Sequence, residues 1–391
     1  MKERRVKKQF LSKEVDAPAI RDIRVGSRYS AGACSRRRFL SVAAGASAEA
    51  LRARAAMVTA GKISEGKEMG KEVNSSGPFF KTRGVIAMKE DVATWPWPSR
   101  AKEAGLNTVS LHVNPRDRKA FAESETGRAF VEECRSLGLG MEWEAHAVGV
   151  LLPRELFAKD QTLFRMNDEG RRVVDANLCV SSTAAMELVS ENAVNFAREL
   201  PPTTHRYFYW IDDAQPMCRC PECKGLSDSD QALLMENAIL KALRHVDAKA
   251  TLAHLCYQNT LKPPSHVKPE AGVFLEFAPI HRRYDTPLRC CDIPAHAAAQ
   301  EALVGNLAVF GQAGAQALEY WLDVSRFSEW DRAKLTKIPW NNDVFLDDLD
   351  YYASCGICHV TTFACWIDGE YVHRFGDPPL QEYGRGLGRR R

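Results

Sequence analysis

From about residue 76 onward the chain alternates short apolar runs with longer stretches in which apolar positions recur at helical spacing. Runs rich in Val, Ile, Leu, Phe and Tyr and bounded by Gly, Asn, Asp or Ser read as buried strands, and the amphipathic stretches between them read as helices. The pattern predicts strands at residues 84–88, 107–113, 139–147, 206–211, 251–257, 272–278, 317–322 and 356–364. It predicts helices at 99–104, 127–137, 184–200, 229–246, 295–303 and 346–354, with a long insertion at 151–182. Eight strands, each but the last followed by a crossover segment, imply an α/β fold, a (β/α)8 barrel of TIM type, for which roughly 250 residues suffice. A doubly wound open sheet is the competing architecture, and the Gly-rich phosphate loop that would support it does not follow the first strand.

In such a barrel the C-terminal strand ends converge on one mouth. Read in order, those ends are His146, then Asp212 and Asp213, then Tyr257, Gln258 and Asn259, then Glu276, then Tyr320, Trp321 and Asp323, then Trp366 and Asp368. Carboxylates supply the acid, base or nucleophile that glycosidic cleavage requires, and aromatic faces and amides suit sugar rings and hydroxyls. Trp210 beside Asp212 and Asp213 is the most informative group. Its bland alternative is a turn capped by Asp212 with Asp213 solvated. Glu276, inside an apolar strand, needs either the mouth or a buried partner such as Arg282 or Arg283. As the second carboxylate of a pair it has Asp323 as its substitute. Trp210, Trp321 and Trp366 are stacking platforms or core packing, and His146 bonds a sugar hydroxyl or a structural partner. Arg282 and Arg283 would hold a uronate or sulfate, or else lie solvated on the surface.

Composition narrows the partners. Among 391 residues, 53 Lys and Arg nearly balance 50 Asp and Glu, so nothing in the composition points to a nucleic-acid groove and no nucleic-acid partner is expected. Much of the small excess sits in residues 1–76, a stretch rich in Arg, Lys, Ala, Gly and Ser that reads as a disordered basic N-terminal arm ahead of a barrel at 77–387. Within it, Ser35-Arg36-Arg37-Arg38-Phe39-Leu40 resembles a twin-arginine export signal. The apolar segment behind it, 42–48, is short and is interrupted by Glu49, Arg52 and Arg54. A periplasmic or secreted protein is the expectation, a cytoplasmic one with a basic arm the alternative. No apolar run reaches the roughly 20 residues that cross a bilayer, so no membrane segment is expected in the mature chain.

Twelve cysteines are present. Cys134, Cys179 and Cys256 fall in apolar patterns and read as buried thiols. Cys218, Cys220 and Cys223 have spacing suggestive of zinc, but a structural site takes four ligands and no fourth is adjacent. His205 or Cys256 could approach in space. A local disulfide or a free-thiol loop is the expectation, with no metal and no cofactor, and Cys355 and Cys358 read the same way.

The run His205 to Asp213, the three cysteines after it and Ser227-Asp228-Ser229-Asp230-Gln231-Ala232-Leu233 together resemble the bacterial domain-of-unknown-function family 4838. So do the blocks 251–264, 274–280 and 319–323, and the resemblance runs from about residue 80 to about 387. The family is related to hexosaminidase and alpha-glucuronidase barrels. The resemblance therefore implies a (β/α)8 barrel, carbohydrate chemistry and a carbohydrate substrate. It implies Asp213 as proton donor with Asp212 orienting the substrate or the acid, although hexosaminidases carry Asp-Glu at this point and an aspartate reaches one methylene less far. A glycoside hydrolase is the leading expectation. The alternatives are a carbohydrate-binding barrel without catalysis and a zinc-dependent hydrolase organised by the cysteine cluster. The oligomeric state is not legible.

Overall fold

The computed structural model describes residues 77–390. The segment 1–76, with the arm and export motif expected there, lies outside the described residues. Eight strands follow in order: β1 (Thr82–Met88), β2 (Thr108–His112), β3 (Gly140–His146), β4 (Arg206–Trp210), β5 (Thr251–Cys256), β6 (Val273–Phe277), β7 (Gln316–Glu319) and β8 (His359–Thr362). They close into a barrel in chain order. β1 pairs β8 in parallel through Thr82 with His359 and Arg83 with Val360. The predicted strands are all present; β7 and β8 are shorter than their apolar runs because the chain leaves the ladder before the run ends.

The principal helices are α1 (Trp97–Glu103), α2 (Glu125–Ser136), α3 (Thr183–Glu199), α4 (Asp228–Leu243), α5 (Pro294–Phe310), α6 (Asn342–Ser354) and α7 (Leu380–Leu387). Their starts follow local chemistry. In α4, Ser227 Oγ accepts from Asp230 N at 3.0 Å while Asp230 Oδ2 accepts from Ser227 N at 3.1 Å, a reciprocal capping box. Pro294 opens α5, where its missing N–H would have had no helical partner. Between β5 and β6 the connection carries only a 3-10 turn, Gln258–Thr260, and a loop. Pro263 of that loop lies so close to α5 that a Cβ on Gly305 would meet its ring at 3.2 Å. Among the described residues no helix is long and apolar enough to cross a membrane.

Period-two alternation sorts the strand side chains. On β4, Tyr209 turns outward onto α3, its ring 4.8 Å from Phe196. Phe208 and Trp210 turn inward. The interior of such a barrel is ordinarily filled by branched apolar residues, but here a polar column runs along it. Arg206 Nη2 donates to Gln316 Oε1 at 2.9 Å, Gln316 Nε2 donates to Glu276 Oε1 at 3.0 Å, and Trp210 Nε1 donates to Glu276 Oε2 at 2.8 Å. Glu142 lies 3.8 Å from Arg206 Nε and accepts from Ser110 Oγ at 3.2 Å. Three fully buried carboxyl groups, those of Glu142, Glu144 and Glu276, thus surround one guanidinium. Burial pushes the pKa of the Glu276 carboxyl up to about 8. Glu144 is raised well above the ordinary carboxylate range by its own burial and by Glu276 beside it.

A second buried network joins the segment after β6 to β7 and α6. Arg282 pairs with Glu319 at 2.8 Å and Asp348 at 2.7 Å, all three fully buried. Tyr352 donates to Glu319, and Trp321 Nε1 donates to Asp348 at 3.1 Å.

Two outcomes follow from these interiors. Because the folded state holds the Glu276 proton up to about pH 8 while the ordinary value is 4.5, the native form binds more protons between those limits, and stability falls as pH rises through that window. Denaturant unfolding at pH 5 and pH 8 should therefore show a shallower pH dependence for Glu276→Gln than for wild type; parallel dependences would contradict the burial argument. Arg282→Met leaves Glu319 and Asp348 without their cation and should cost about 3–5 kcal/mol in the same assay at neutral pH.

Candidate active site at the barrel mouth

At the C-terminal ends of the strands lies a cavity of about 230 Å³. His146, Trp210, Asp213, Tyr257, Tyr320 and Asp323, from the ends of β3, β4, β5 and β7, all line it. His146 is oriented by its backbone neighbour: Nδ1 donates to Ile211 O at 2.6 Å, which turns Nε2 toward Asp213 Oδ1 at 3.8 Å. The Asp213 side chain is 60% exposed at the rim. Tyr257, half-buried beside Asp213, has its phenol pushed up to about 12, first by burial and then by that carboxylate, so it stays a neutral hydrogen-bonding group.

Asp323 contrasts with Asp213. It is 4% exposed, and its Oδ1 accepts from Ser325 Oγ at 2.5 Å and from Arg326 N at 3.2 Å. Burial raises its proton affinity, and the two donors offset part of that rise.

Other residues singled out from the sequence lie elsewhere. Asp212 is tied down beneath the rim: Oδ1 accepts from Gly149 N at 3.1 Å, Oδ2 accepts from Asn177 N at 2.7 Å, and Arg154 pairs with it. Glu276 is fully buried in the polar column and reaches the cavity only through the Trp210 indole, a placement its strand register dictates because Leu255 and Gln316 flank it in the ladder. Its partner is not Arg282 or Arg283. Arg282 is buried with Glu319 and Asp348, so it offers no group to a sugar, and Arg283 pairs on the surface with Asp285 at 2.5 Å. Trp321 packs in the core against Phe345, with ring centroids 5.0 Å apart. Gln258 pairs with His281 at 3.0 Å, and Asn259 Nδ2 donates to Gln215 O at 3.2 Å and to Asp228 at 3.0 Å. Asp368 caps the helix Gly369–Phe375 through Tyr371 N at 2.9 Å and pairs with Arg332, whose guanidinium lies 5.3 Å from the Trp366 ring centre. These groups are held by the protein itself, which explains why they are absent from the cavity lining.

Three residues matter that strand-end reading passed over. His112 closes β2 just as His146 closes β3, and the same rule applied to β2 would have found it. Its ring stacks on Trp210 at 5.9 Å, and burial with His146 nearby pushes its basicity down to about 3, so it is neutral. Trp330 lines the cavity although 65% exposed. It sits in a loop with no periodic signal, where Glu329 and Trp330 both take left-handed backbone, φ 57° and 56°. That conformation is costly for non-glycine residues and concentrates at functional sites. Asp91, after β1, accepts from Met88 N at 3.0 Å and Trp366 N at 2.9 Å, joining the β1 end to the loop after β8.

The cysteines among the described residues are free thiols, one of the two expected states, but the expectation about a fourth member of the cluster needs correction. The insertion between β3 and α3 brings Cys179 to Cys218, Cys220 and Cys223, with all four sulfur atoms within 4.8 Å of one another and all four residues buried. Neither His205 nor Cys256 takes part: His205 Nδ1 pairs with Asp247 at 2.9 Å, and Cys256 Sγ faces Leu261 O at 3.4 Å.

Comparison with solved structures finds the following likenesses. A beta-N-acetylhexosaminidase from Bacteroides fragilis aligns with a TM-score of 0.52 at 11% identity, over 79% of this chain and 66% of the other. A beta-galactosidase from the psychrophilic Marinomonas ef1 aligns with a TM-score of 0.49 at 11% identity, over 78% and 59%. An exo-beta-1,4-mannosidase from an Opitutaceae bacterium aligns with a TM-score of 0.44 at 13% identity, over 80% and 61%. This chain therefore spans less than two thirds of those three chains. No curated protein matches it by sequence. The model of the domain of unknown function DUF4838 matches residues 71–303, which ends before β7 and so leaves the 319–323 block outside the match. Covering more than half of the 391 residues, that match shows that the chain belongs to the DUF4838 family.

Proposed function

We propose that the barrel mouth is a glycosidase site in which Asp213 and Asp323 cleave a glycosidic bond of a poly- or oligosaccharide. The observation that carries the reading is that these two carboxylates, brought from the ends of β4 and β7, line one cavity together with Trp330, Tyr257 and His146. Two carboxyl groups in unlike surroundings are what such hydrolysis uses, one to protonate the leaving oxygen and one to act on the opposite face of the sugar.

Burial favours Asp323 as the proton donor. Asp213, at the solvated rim, then serves as nucleophile or as the base for a water. The family resemblance suggests the reverse division, with Asp213 as donor. Trp330 supplies an exposed ring for stacking, and Tyr257 and His146 supply hydroxyl partners. Asp212 holds the loop that carries Asp213, and Glu276 positions Trp210 from below. Delivery of the protein outside the cytoplasm, on the strength of the Ser35–Leu40 motif, belongs to the same proposal.

The test is a screen of aryl glycosides and unactivated oligosaccharides with wild type and variants. Asp213→Asn and Asp323→Asn should each lower kcat on unactivated substrate by about 10²–10⁴-fold, the usual worth of a positioned acid or base. An Asp323→Asn enzyme that recovers on substrates with good leaving groups identifies Asp323 as the donor; recovery by Asp213→Asn instead assigns that role to Asp213. Unchanged activity in both variants would remove the reading, and sugar binding without turnover by wild type would make the barrel a carbohydrate-binding one. Trp330→Ala should raise KM by roughly tenfold with little change in kcat, as expected for lost ring stacking.

A further inference from the structure

We infer that Cys179, Cys218, Cys220 and Cys223 hold a single zinc ion that fastens the β3–α3 insertion to the loop after β4. A tetrahedral site with zinc–sulfur bonds near 2.3 Å has sulfur–sulfur edges of about 3.8 Å. The Cys179–Cys220 and Cys179–Cys223 sulfur separations are 3.7 and 4.0 Å. Those distances are nearly twice the roughly 2.05 Å of a disulfide, so Cys179 is bonded to neither. Four soft sulfur donors in one tetrahedral group select zinc over the oxygen-seeking cations.

The surroundings suit the bound form. Four thiolates and one Zn²⁺ carry two net negative charges, and groups able to donate to sulfur gather around them. Met166 N lies 3.3 Å from Cys218 Sγ and Arg172 Nη1 3.8 Å from it. Ser181 Oγ lies 3.1 Å from Cys179 Sγ and 3.5 Å from Cys220 Sγ. Gln231 of α4 accepts from Cys218 N at 3.1 Å and donates to Cys218 O at 3.1 Å, bracing the turn that presents three of the ligands. Binding releases the thiol protons as each sulfur coordinates.

All four positions are filled by protein, so the site is closed. A closed tetrahedron is structural, since a catalytic zinc keeps one position for water or substrate. This removes the cysteine cluster as the centre of a zinc hydrolase. The ion's work is mechanical. Cys179 follows Asn177, whose side chain accepts from Asp212 N at 3.0 Å and whose backbone N–H bonds the Asp212 carboxylate at 2.7 Å. Cys218 lies on the other side of Asp213. One ion thus pins both flanks of the segment that forms the cavity rim, whatever reaction the cavity performs.

The test uses the full chain purified under a thiol reductant and without chelator. Elemental analysis should find about one zinc per chain, the stoichiometry of a single tetrathiolate site. Cys179→Ser should retain at least tenfold less zinc, while Cys134→Ser, a buried cysteine of α2 outside the cluster, should keep it. If Cys179→Ser does not fold, wild type decides. After stripping with a chelator and titration with cobalt(II), it should take up one equivalent, with intense sulfur-to-cobalt charge-transfer bands and the visible absorption of a tetrahedral ion. Wild type that holds neither zinc nor cobalt, or zinc content unaffected by Cys179→Ser, would overturn the inference.

Discussion

Backbone hydrogen bonding between β1 and β8 turns eight parallel segments into a ring with no free sheet edge. Closure sets two demands. The strand ends must meet around one mouth, and the enclosed volume must be filled. The first demand gathers His146, Asp213 and Asp323 from distant parts of the chain. The second is met in part by polar side chains, with Arg206, Gln316 and Glu276 leading up to the Trp210 indole. In a dry interior such a column stands only if each charge is neutralised or paired. Glu276 and Glu144 meet that condition by keeping their protons.

The mouth inherits its geometry from this interior. Trp210 is held by Glu276 from below and stacked by His112 at its side, which makes it a fixed floor for the cavity. Asp213 is set by a different device: its neighbour Asp212 is locked by Gly149, just after β3, and by Asn177 and Arg154 of the long insertion. The rim therefore depends on how firmly that insertion is anchored, and the buried sulfur cluster lies at that anchor point.

Family membership and barrel likeness agree on the fold without choosing a reaction. At 11% identity the hexosaminidase shares an architecture that many chemistries use. Glycosidic cleavage is proposed instead from the Asp213 and Asp323 carboxylates, the exposed ring of Trp330 and the Tyr257 hydroxyl and His146 imidazole that share their cavity.

Strand and helix positions were legible in the chain because burial imposes periodicity locally: Val85, Val109 and Phe274 announce strands by their apolar neighbours alone. Strand ends were equally legible, and they named His146, Asp213 and Asp323. What the sequence could not decide was which polar strand-end groups are already spoken for. Glu276, Arg282, Asp368 and Asp212 look like site residues until their partners are placed, and those partners lie tens of positions away. Trp330 carried no signal, since a loop's left-handed backbone leaves no period to read. The fourth cysteine was invisible for a related reason: Cys179 lies 39 positions before Cys218 on an insertion, and only the path of that insertion across the barrel mouth brings the two sulfurs together.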